Sequence, residues 1–208
     1  NDIDRKGASR QTGAERPERE ASAEVPRIYA ASLTDYNAGV LHGAWLNASD
    51  TAEELHAGIA RMLAASPTTR RYGDLAEEWA IHDYEGFGPV ALSEWESLER
   101  VTDLARGIAE HGPSFASWWE IAEPQHEDWG DIESQYRNEY IGEFDQLTDY
   151  GELLLDEIGF DLDQVDVPES MRAYLSFDTA GWIRDVEIEG GIETAASARG
   201  VYVFQREQ

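Results

Sequence analysis

The sequence contains no cysteine and only one lysine, Lys6, and no apolar run approaches the roughly 20 residues that a membrane span needs. Without cysteine, neither a disulfide framework nor a thiolate metal site can form. The first 26 residues also lack the apolar core of a secretory signal. These absences predict a soluble, cytoplasmic protein that makes no membrane contact.

Positive charge is scarce as well. Sixteen Lys and Arg stand against 43 Asp and Glu, which gives a formal net charge of -27 at pH 7. This magnitude lies far beyond the value of about 2 to 8 that solubility asks of a small domain. Because 41% of the residues are apolar and 11% aromatic, the chain can bury a core and is not a disordered acidic polymer. The composition therefore predicts a folded protein with a strongly acidic surface.

Changes in composition and pattern divide the chain into a tail and three units. The tail has five basic and six acidic residues and almost no large apolar side chains. The predicted fold class is α+β, and no internal repeat is present. The units are 1–26, a flexible tail; 27–88, an α+β domain; 89–127, a central, mostly helical domain; and 128–208, an acidic α+β domain.

The first unit shows three strand patterns and one amphipathic helix. A turn near Asn37 and Gly39 is predicted to join the first two strands. Asp50, with Glu53 three residues later, predicts a helix start, and Pro67 marks its end. The predicted strands cover 27–33, 41–48 and 79–84.

The middle unit is predicted to contain two helices. Ser93 with Glu96 forms a second possible capping box, and an apolar stripe runs from Trp95 to Ile108. The shorter helix over 115–122 carries Trp118 and Trp119, and these two and Trp95 are predicted to be core residues.

In the third unit, Tyr136, Tyr140 and Phe144 recur every four residues, which predicts the buried side of one acidic helix. Residues 168–185 fit a helix or a strand, and 201–204 form a closing strand.

The stretch DYGELLLDEIGFDLDQVD, residues 149–166, holds seven carboxylates and no basic residue. A helix over about 147–158 would place Tyr150, Leu154 and Ile158 on one face. Asp149, Glu152 and Asp156 would lie on the other. Like charges at such spacing destabilise a helix by about 0.2 to 0.5 kcal/mol per pair.

The surrounding segment, 120–169, contains seventeen carboxylates and a single basic residue, Arg137. At about 0.15 M salt the screening length is about 8 Å, so repulsion between neighbours persists. All of these carboxylates except Glu169 are the candidate partner-binding residues, and Arg100 and Arg137 are predicted to stabilise the scaffold locally. The candidates are Glu120, Glu123, Glu127, Asp128, Asp131, Glu133, Glu139, Glu143, Asp145, Asp149, Glu152, Asp156, Glu157, Asp161, Asp163 and Asp166.

Three interpretations of this acidity compete. A short run of acids is ordinarily a solvated face, but a net charge of -26 over 27–208 exceeds that explanation. Adaptation to high salt also makes proteins acidic and poor in lysine, although seven Trp and nine Tyr argue against it. The third interpretation is imitation of nucleic acid. DNA carries one charge per about 1.7 Å of axis, and its binding proteins gain affinity by neutralising those charges.

Several separated segments resemble the ArdA family of antirestriction proteins. They include RIYAASLTDYNAGVLHGAWLNA, EEWAIHDYEGFG at 77–88 and LTDYGELLLDEIGFDLD. PESMRAYLSFDTAGWIRDVEI and the terminal VYVF agree in the same order, and the match covers nearly all of 27–208 but not the tail.

The resemblance implies an elongated, curved protein of three small domains that forms a homodimer and imitates bent duplex DNA. It implies binding to the DNA groove of type I restriction-modification enzymes, at their methyltransferase core, without direct nucleic acid binding. It also implies that the protein is encoded on a mobile genetic element and is not an enzyme. An alternative is an acidic mimic aimed at another DNA-binding protein, such as a nucleoid protein or a repressor.

Enzymatic and metal-binding alternatives are also considered. A salt-adapted glycoside hydrolase needs two carboxyls about 5 to 9.5 Å apart, one with a raised pKa, and no pair is singled out by the sequence. Asp161 and Asp163 resemble the start of a calcium loop, but Asp166 stands where glycine is needed and Arg172 where glutamate is needed. The five histidines are scattered. No cofactor or dedicated metal site is therefore predicted, although loose calcium binding remains open.

Overall fold

The computed structural model describes residues 25–73, 75–125 and 128–206, and it has a mixed α+β fold, as predicted. The predicted tail lies outside the described residues except for Val25 and Pro26. The strands are β1 Arg27–Ser32, β2 Gly43–Asn47, β3 Trp79–Glu85, β4 Tyr140–Phe144, β5 Ile192–Ala196 and β6 Val201–Gln205. The α-helices are α1 Leu33–Asn37, α2 Ala52–Ala64, α3 Pro67–Tyr72, α4 Leu98–His111, α5 Pro113–Ala122, α6 Trp129–Glu139, α7 Leu147–Glu157, α8 Glu169–Arg172 and α9 Thr179–Ile188.

The first sheet contains the three strands predicted for the first unit. They pair antiparallel in the order β2-β1-β3, with β1 in the centre. The connection between β1 and β2 includes the helix α1 as well as a turn. Ser32 ends β1 and caps this helix, since its Oγ accepts the backbone N–H of Asp35 at 3.3 Å.

Two predicted helix starts were wrong by a few residues. Helix α2 begins with Thr51 as cap and Glu54 as its reciprocal partner, not with Asp50 and Glu53. Both pairs have the same spacing, so local pattern does not choose between them. Asp50 instead accepts a hydrogen bond from the Asn47 side chain at 3.1 Å.

Helix α4 starts at Leu98 under a Ser97 cap, not at the predicted Ser93. The loop before it is held to the first sheet, because the N–H of Ile81 in β3 donates to the Glu94 carbonyl at 2.9 Å. This contact keeps Trp95 out of the helix. The prediction that Trp95 belongs to the core was wrong, since 67% of the residue is exposed.

Helices α4 and α5 pack closely at a glycine. A Cβ added to Gly107 would lie 2.0 Å from Cε1 of Phe115, so only glycine lets these helices approach. Trp118 and Trp119 are buried, as predicted. One cluster of buried side chains runs from Ile28 in β1 through both helices to Phe204 in β6. This cluster contains residues from all three predicted units. It does not test where one unit ends and the next begins, so the predicted domain boundaries remain predictions.

The second sheet pairs antiparallel in the order β4-β6-β5 and includes the predicted closing strand. Tyr140 and Phe144 lie on β4, so the prediction of one helix through Tyr136, Tyr140 and Phe144 was wrong beyond Glu139. Tyr140 is extended, at φ -73° and ψ 114°, yet its ring stacks on Tyr136 with centroids 5.3 Å apart. The four-residue spacing of Tyr136 and Tyr140 therefore reflects ring stacking between the end of α6 and the start of β4, and not one continuous helix.

Helix α7 packs on α9 around Tyr150, Ile183, Ile192 and Val203, a second and smaller buried cluster. The ambiguous stretch from 168 to 185 contains α8 and the start of α9, and within it no strand is described. Ile158 was predicted to share the buried face of α7, but it caps the helix and is 67% exposed. Within the described residues, no helix combines the length and apolarity required to cross a membrane.

Candidate partner-binding carboxylates

Most of the candidate carboxylates are exposed. Glu127 lies outside the described residues, and three of the other fifteen candidates are partly buried. The exposed residues are Glu120, Glu123, Asp128, Asp131, Asp145, Asp149, Glu152, Asp156, Glu157, Asp161, Asp163 and Asp166.

The partly buried candidates are Glu133, Glu139 and Glu143, and each binds a neighbour within the chain. Glu139 accepts hydrogen bonds from Nε1 of Trp118 at 2.7 Å and from Nε2 of Gln135 at 2.9 Å. It therefore satisfies the indole of a fully buried tryptophan. Such a carboxylate has a structural role and is not available as a phosphate substitute.

Glu133 and Glu143 are held by arginines. Hydrogen bonding from Arg137, 2.7 Å away, is the main cause that lowers the pKa of Glu133. Hydrogen bonding from Arg199, whose Nε lies 3.1 Å from Glu143 Oε2, likewise lowers the pKa of Glu143. These pairs neutralise two of the predicted charges. Sequence reasoning missed Arg199 because it is 56 residues from its partner.

Three exposed carboxylates organise the backbone around them. Asp128 caps α6 by accepting the N–H of Gly130 at 2.7 Å, and Asp149 accepts the N–H of Gln146 at 3.0 Å. Asp161 accepts the N–H of Asp163 at 2.8 Å, and this bond is the main cause that lowers its pKa. Their charges stay at the surface, but their positions are fixed by local bonds.

Nine carboxylates remain, and we call them the free carboxylates. Among the residues that the structure describes, no side chain or backbone N–H donates to their carboxylate oxygens and no ion pair involves them. Helix α7 has no basic residue in its last turn either. The free carboxylates are Glu120, Glu123, Asp131, Asp145, Glu152, Asp156, Glu157, Asp163 and Asp166.

Both arginines that were predicted to stabilise the scaffold, Arg100 and Arg137, make contacts within the chain. Arg137 binds Glu133, and Arg100 donates to the Pro124 carbonyl at 2.6 Å while its guanidinium lies 4.7 Å from the Trp119 ring. Arg172 donates to the carbonyl of Asp163 at 2.7 Å and leaves the carboxylate of that residue free. The arginines thus tie backbone and rings together more than they neutralise the free carboxylates.

One group of side chains in the described residues has the geometry of a cation site. Glu110, His111 and Glu133 offer ligand atoms within 4.8 Å of one another. However, Arg106 donates to Glu110 at 2.9 Å, and Arg137 binds Glu133. Two guanidinium groups beside the carboxylates disfavour a divalent cation there. Asp161, from the calcium-like pattern, uses its carboxylate on the N–H of Asp163 and on Gln164.

One carboxyl group outside the candidate set, that of Asp103, differs from the candidates because its pKa is raised. Asp103 lines a cleft of about 400 Å³ beside α4, together with Arg100 and Trp119. Burial raises the pKa of Asp103, and Arg106 partly offsets the rise. Asp103 was not among the predicted residues, because its local pattern is that of an ordinary helical acid.

Sequence reasoning also missed a set of exposed apolar side chains in the third unit. They lie between the end of α7 and the end of α9, a region that includes the stretch 168–185 for which the sequence fitted either a helix or a strand. The most exposed are Ile158, Met171, Tyr174 and Ile188, and Tyr174 is 87% exposed. Met171 and Tyr174 lie close together in the chain, and exposed apolar groups that form a contiguous patch are typical of an interaction site.

The fold and these side chains define a class: an α+β protein that displays many carboxylates without partners of its own. The model of the antirestriction protein family ArdA matches residues 28–199. The chain therefore belongs to this family, and the resemblance found in the sequence is confirmed. No curated protein matches the chain.

Proposed function

We propose that this antirestriction protein mimics duplex DNA and competes for the DNA-binding groove of a type I restriction-modification enzyme. Family membership supports antirestriction, and the free carboxylates support the mimicry. On this proposal the protein acts by binding alone and has no catalytic residue. The free carboxylates stand for phosphates.

The charge density of α7 carries this proposal. Four of its eleven residues are exposed carboxylates: Asp149, Glu152, Asp156 and Glu157. At 1.5 Å rise per residue, they present about one charge per 4 Å of helix axis. One strand of DNA presents a charge per about 3.4 Å. A groove built to receive phosphates would meet a comparable charge density along this helix.

The rigidity of these positions supports competition with DNA. Helix α7 is anchored by Tyr150 and Gly151, which pack against α9. A Cβ on Gly151 would lie 2.9 Å from Cγ2 of Thr179, so the two helices are in close contact. Carboxylates on such a helix lose little conformational freedom on binding, which favours affinity.

The proposal includes a homodimer, which would lengthen the mimic. Two copies, each with a formal charge of -27, repel one another, so association requires a surface poor in carboxylates. Residues 170–177 contain Arg172 and no acid, and they carry the exposed Met171 and Tyr174. This region has the composition that a dimer interface would need.

The direct test is displacement of a labelled duplex from a purified type I methyltransferase core, measured from about 0.05 to 0.3 M salt. We expect displacement at near-stoichiometric protein, weakening as salt rises, because the contacts resemble phosphate contacts. The triple change Glu152→Gln, Asp156→Asn and Glu157→Gln should flatten the salt dependence by about three units of slope, about one per contact.

A control variant with three substitutions removes the same number of charges from exposed residues outside α7. The substitutions are Glu53→Gln, Glu94→Gln and Glu99→Gln. We expect the control variant to retain most of the affinity and slope. An equal loss in both triples would show that net charge alone sets the affinity. Absence of displacement at every salt by a folded, dimeric sample would contradict the type I target and direct the search to another DNA-binding protein.

A further inference from the structure

A second acidic feature lies outside the free carboxylates, at the start of β3. Trp79 and Trp95 line a cleft of about 320 Å³ together with Glu77, Glu78 and Glu96. Trp95 is 67% exposed, although burying an aromatic ring of this size would be favourable. An aromatic ring beside several carboxylates at the surface is the kind of site that binds a cation.

The walls of this cleft are held in place by backbone hydrogen bonds. The Ile81 N–H donates to the Glu94 carbonyl at 2.9 Å, and Ser93 Oγ accepts the N–H of Trp95 at 3.1 Å. On the other wall, the Leu33 N–H donates to the Glu78 carbonyl at 3.0 Å. The backbone that carries the two tryptophans is therefore preorganised, which lowers the entropic cost of binding.

Arginine side chains already stack on other tryptophans of this protein. Guanidinium groups lie over three of its indoles: Arg27 over Trp45 at 4.7 Å, Arg100 over Trp119 at 4.7 Å, and Arg106 over Trp129 at 4.5 Å.

In the part of the chain that the structure describes, no guanidinium lies over Trp79 or Trp95. Glu96 is already 3.6 Å from Arg100, so Glu77 and Glu78 are the carboxylates left to pair with a ligand. The cleft therefore offers two indole rings and two available carboxylates to a cationic group of a ligand.

We propose that the cleft between Trp79 and Trp95 binds an arginine side chain of the partner protein. Arginine fits better than lysine because its planar group stacks on a ring, is weakly hydrated, and donates to carboxylates in a fork. The inference rests on the proposed function only in taking the partner to be a protein whose DNA groove presents arginines. The cleft would supply a contact that depends on shape as well as charge.

The test of the cleft uses acetyl-arginine amide as the probe and the indole N–H signals of the ¹⁵N-labelled protein at about 0.15 M salt. The Trp95 signal is identified by its loss in Trp95→Phe. We expect a saturable shift of this signal with the arginine probe and a smaller one with acetyl-lysine amide. The citrulline amide, which has nearly the same shape without the charge, should produce none. An equal shift with the citrulline probe would overturn the proposal.

A matched pair of variants separates the cleft from general acidity. Glu78→Gln and Glu94→Gln each remove one exposed carboxylate from neighbouring segments, but only Glu78 lines the cleft. We expect Glu78→Gln to weaken binding of the arginine probe several-fold and Glu94→Gln to leave it unchanged. Equal weakening by both variants would also overturn the proposal.

Trp95→Leu tests the cleft against the macromolecular partner. In the duplex displacement assay we expect about 2- to 30-fold weaker binding, the range of a cation–π contact, with an unchanged salt slope because no charge is lost. Wild-type affinity for Trp95→Leu would refute the partner contact. If the unchanged protein binds the arginine probe at Trp95 but displaces no duplex, the cleft is supported and the proposed target is contradicted.

Discussion

At the scale of single residues, the most constrained carboxylate is buried rather than exposed. Asp35 is fully buried, and its Oδ1 accepts hydrogen bonds from Ser66 Oγ at 3.0 Å and from the Thr68 N–H at 2.9 Å. Burial raises the pKa of Asp35, but hydrogen bonds involving Ser32, Thr68 and Ser66 outweigh it and hold the pKa well below its usual range. Asp35 thereby ties α1 to the start of α3.

Asp35→Asn should lower the free energy of unfolding by about 1 to 3 kcal/mol, since it replaces a charged acceptor with a weaker, neutral one in a buried network. Because the folded pKa is depressed, the contribution is full above about pH 4, near the unfolded pKa, and is lost as pH falls further. Urea unfolding should therefore show a constant difference between the proteins from pH 5 to 8 and a shrinking one below pH 4.

Glu94→Gln is the control for Asp35→Asn. It changes an exposed acid in the loop before α4, and it should alter stability by less than about 0.5 kcal/mol. Equal stability of Asp35→Asn and the unchanged protein at pH 7 would contradict the role assigned to the buried carboxylate.

At the scale of a single element, the two ends of α7 respond oppositely to loss of charge. Asp149 lies in the first turn and accepts the N–H of Gln146, and both features stabilise the helix. Asp156 lies in the last turn, where a negative charge opposes the helix dipole, and it sits four residues from Glu152. The same substitution should thus have opposite effects at these positions.

We expect Asp149→Asn to destabilise the protein by about 0.3 to 1 kcal/mol and Asp156→Asn to stabilise it by about 0.3 to 1 kcal/mol. Thermal and urea unfolding at low salt would measure both. Each variant should also weaken binding to the methyltransferase core, so Asp156→Asn would gain stability and lose affinity. A change of the same sign at both ends would refute this account of α7.

At the scale of the whole molecule, the excess of 27 negative charges must weaken the folded state through self-repulsion. Raising salt from about 0.01 to 0.15 M shortens the screening length from about 30 to 8 Å. We expect the free energy of unfolding to rise by at least about 1 kcal/mol over this range, the sum of several repulsive pairs.

Urea unfolding at fixed pH would measure this effect of salt. Most of the increase should come at low salt and then level off. A flat response below 0.15 M would show that the carboxylates do not repel one another strongly in the folded state, and it would remove the argument that they are kept for binding.

The sequence by itself determined the family, the α+β class, the three strands of the first sheet and the burial of Trp118 and Trp119. The family follows from the resemblance of several separated segments in the same order. The class, the strands and the buried tryptophans follow from local patterns, because alternation, helical spacing and proline act over a few neighbouring residues. The exposed carboxylates of α7 were predictable for the same reason, since their spacing along a helix sets the face on which they lie.

Only the tertiary structure decided which carboxylates have partners. Glu139 meets Trp118 from 21 residues away, and Glu143 meets Arg199 from 56 away, distances over which no local pattern operates. Trp95 and Tyr140 follow the same rule: a backbone bond to β3 keeps Trp95 out of α4, and pairing with β6 draws Tyr140 into a strand. The spacing of charges along a helix can be predicted from the sequence, whereas pairing and burial depend on which distant residues the fold brings together.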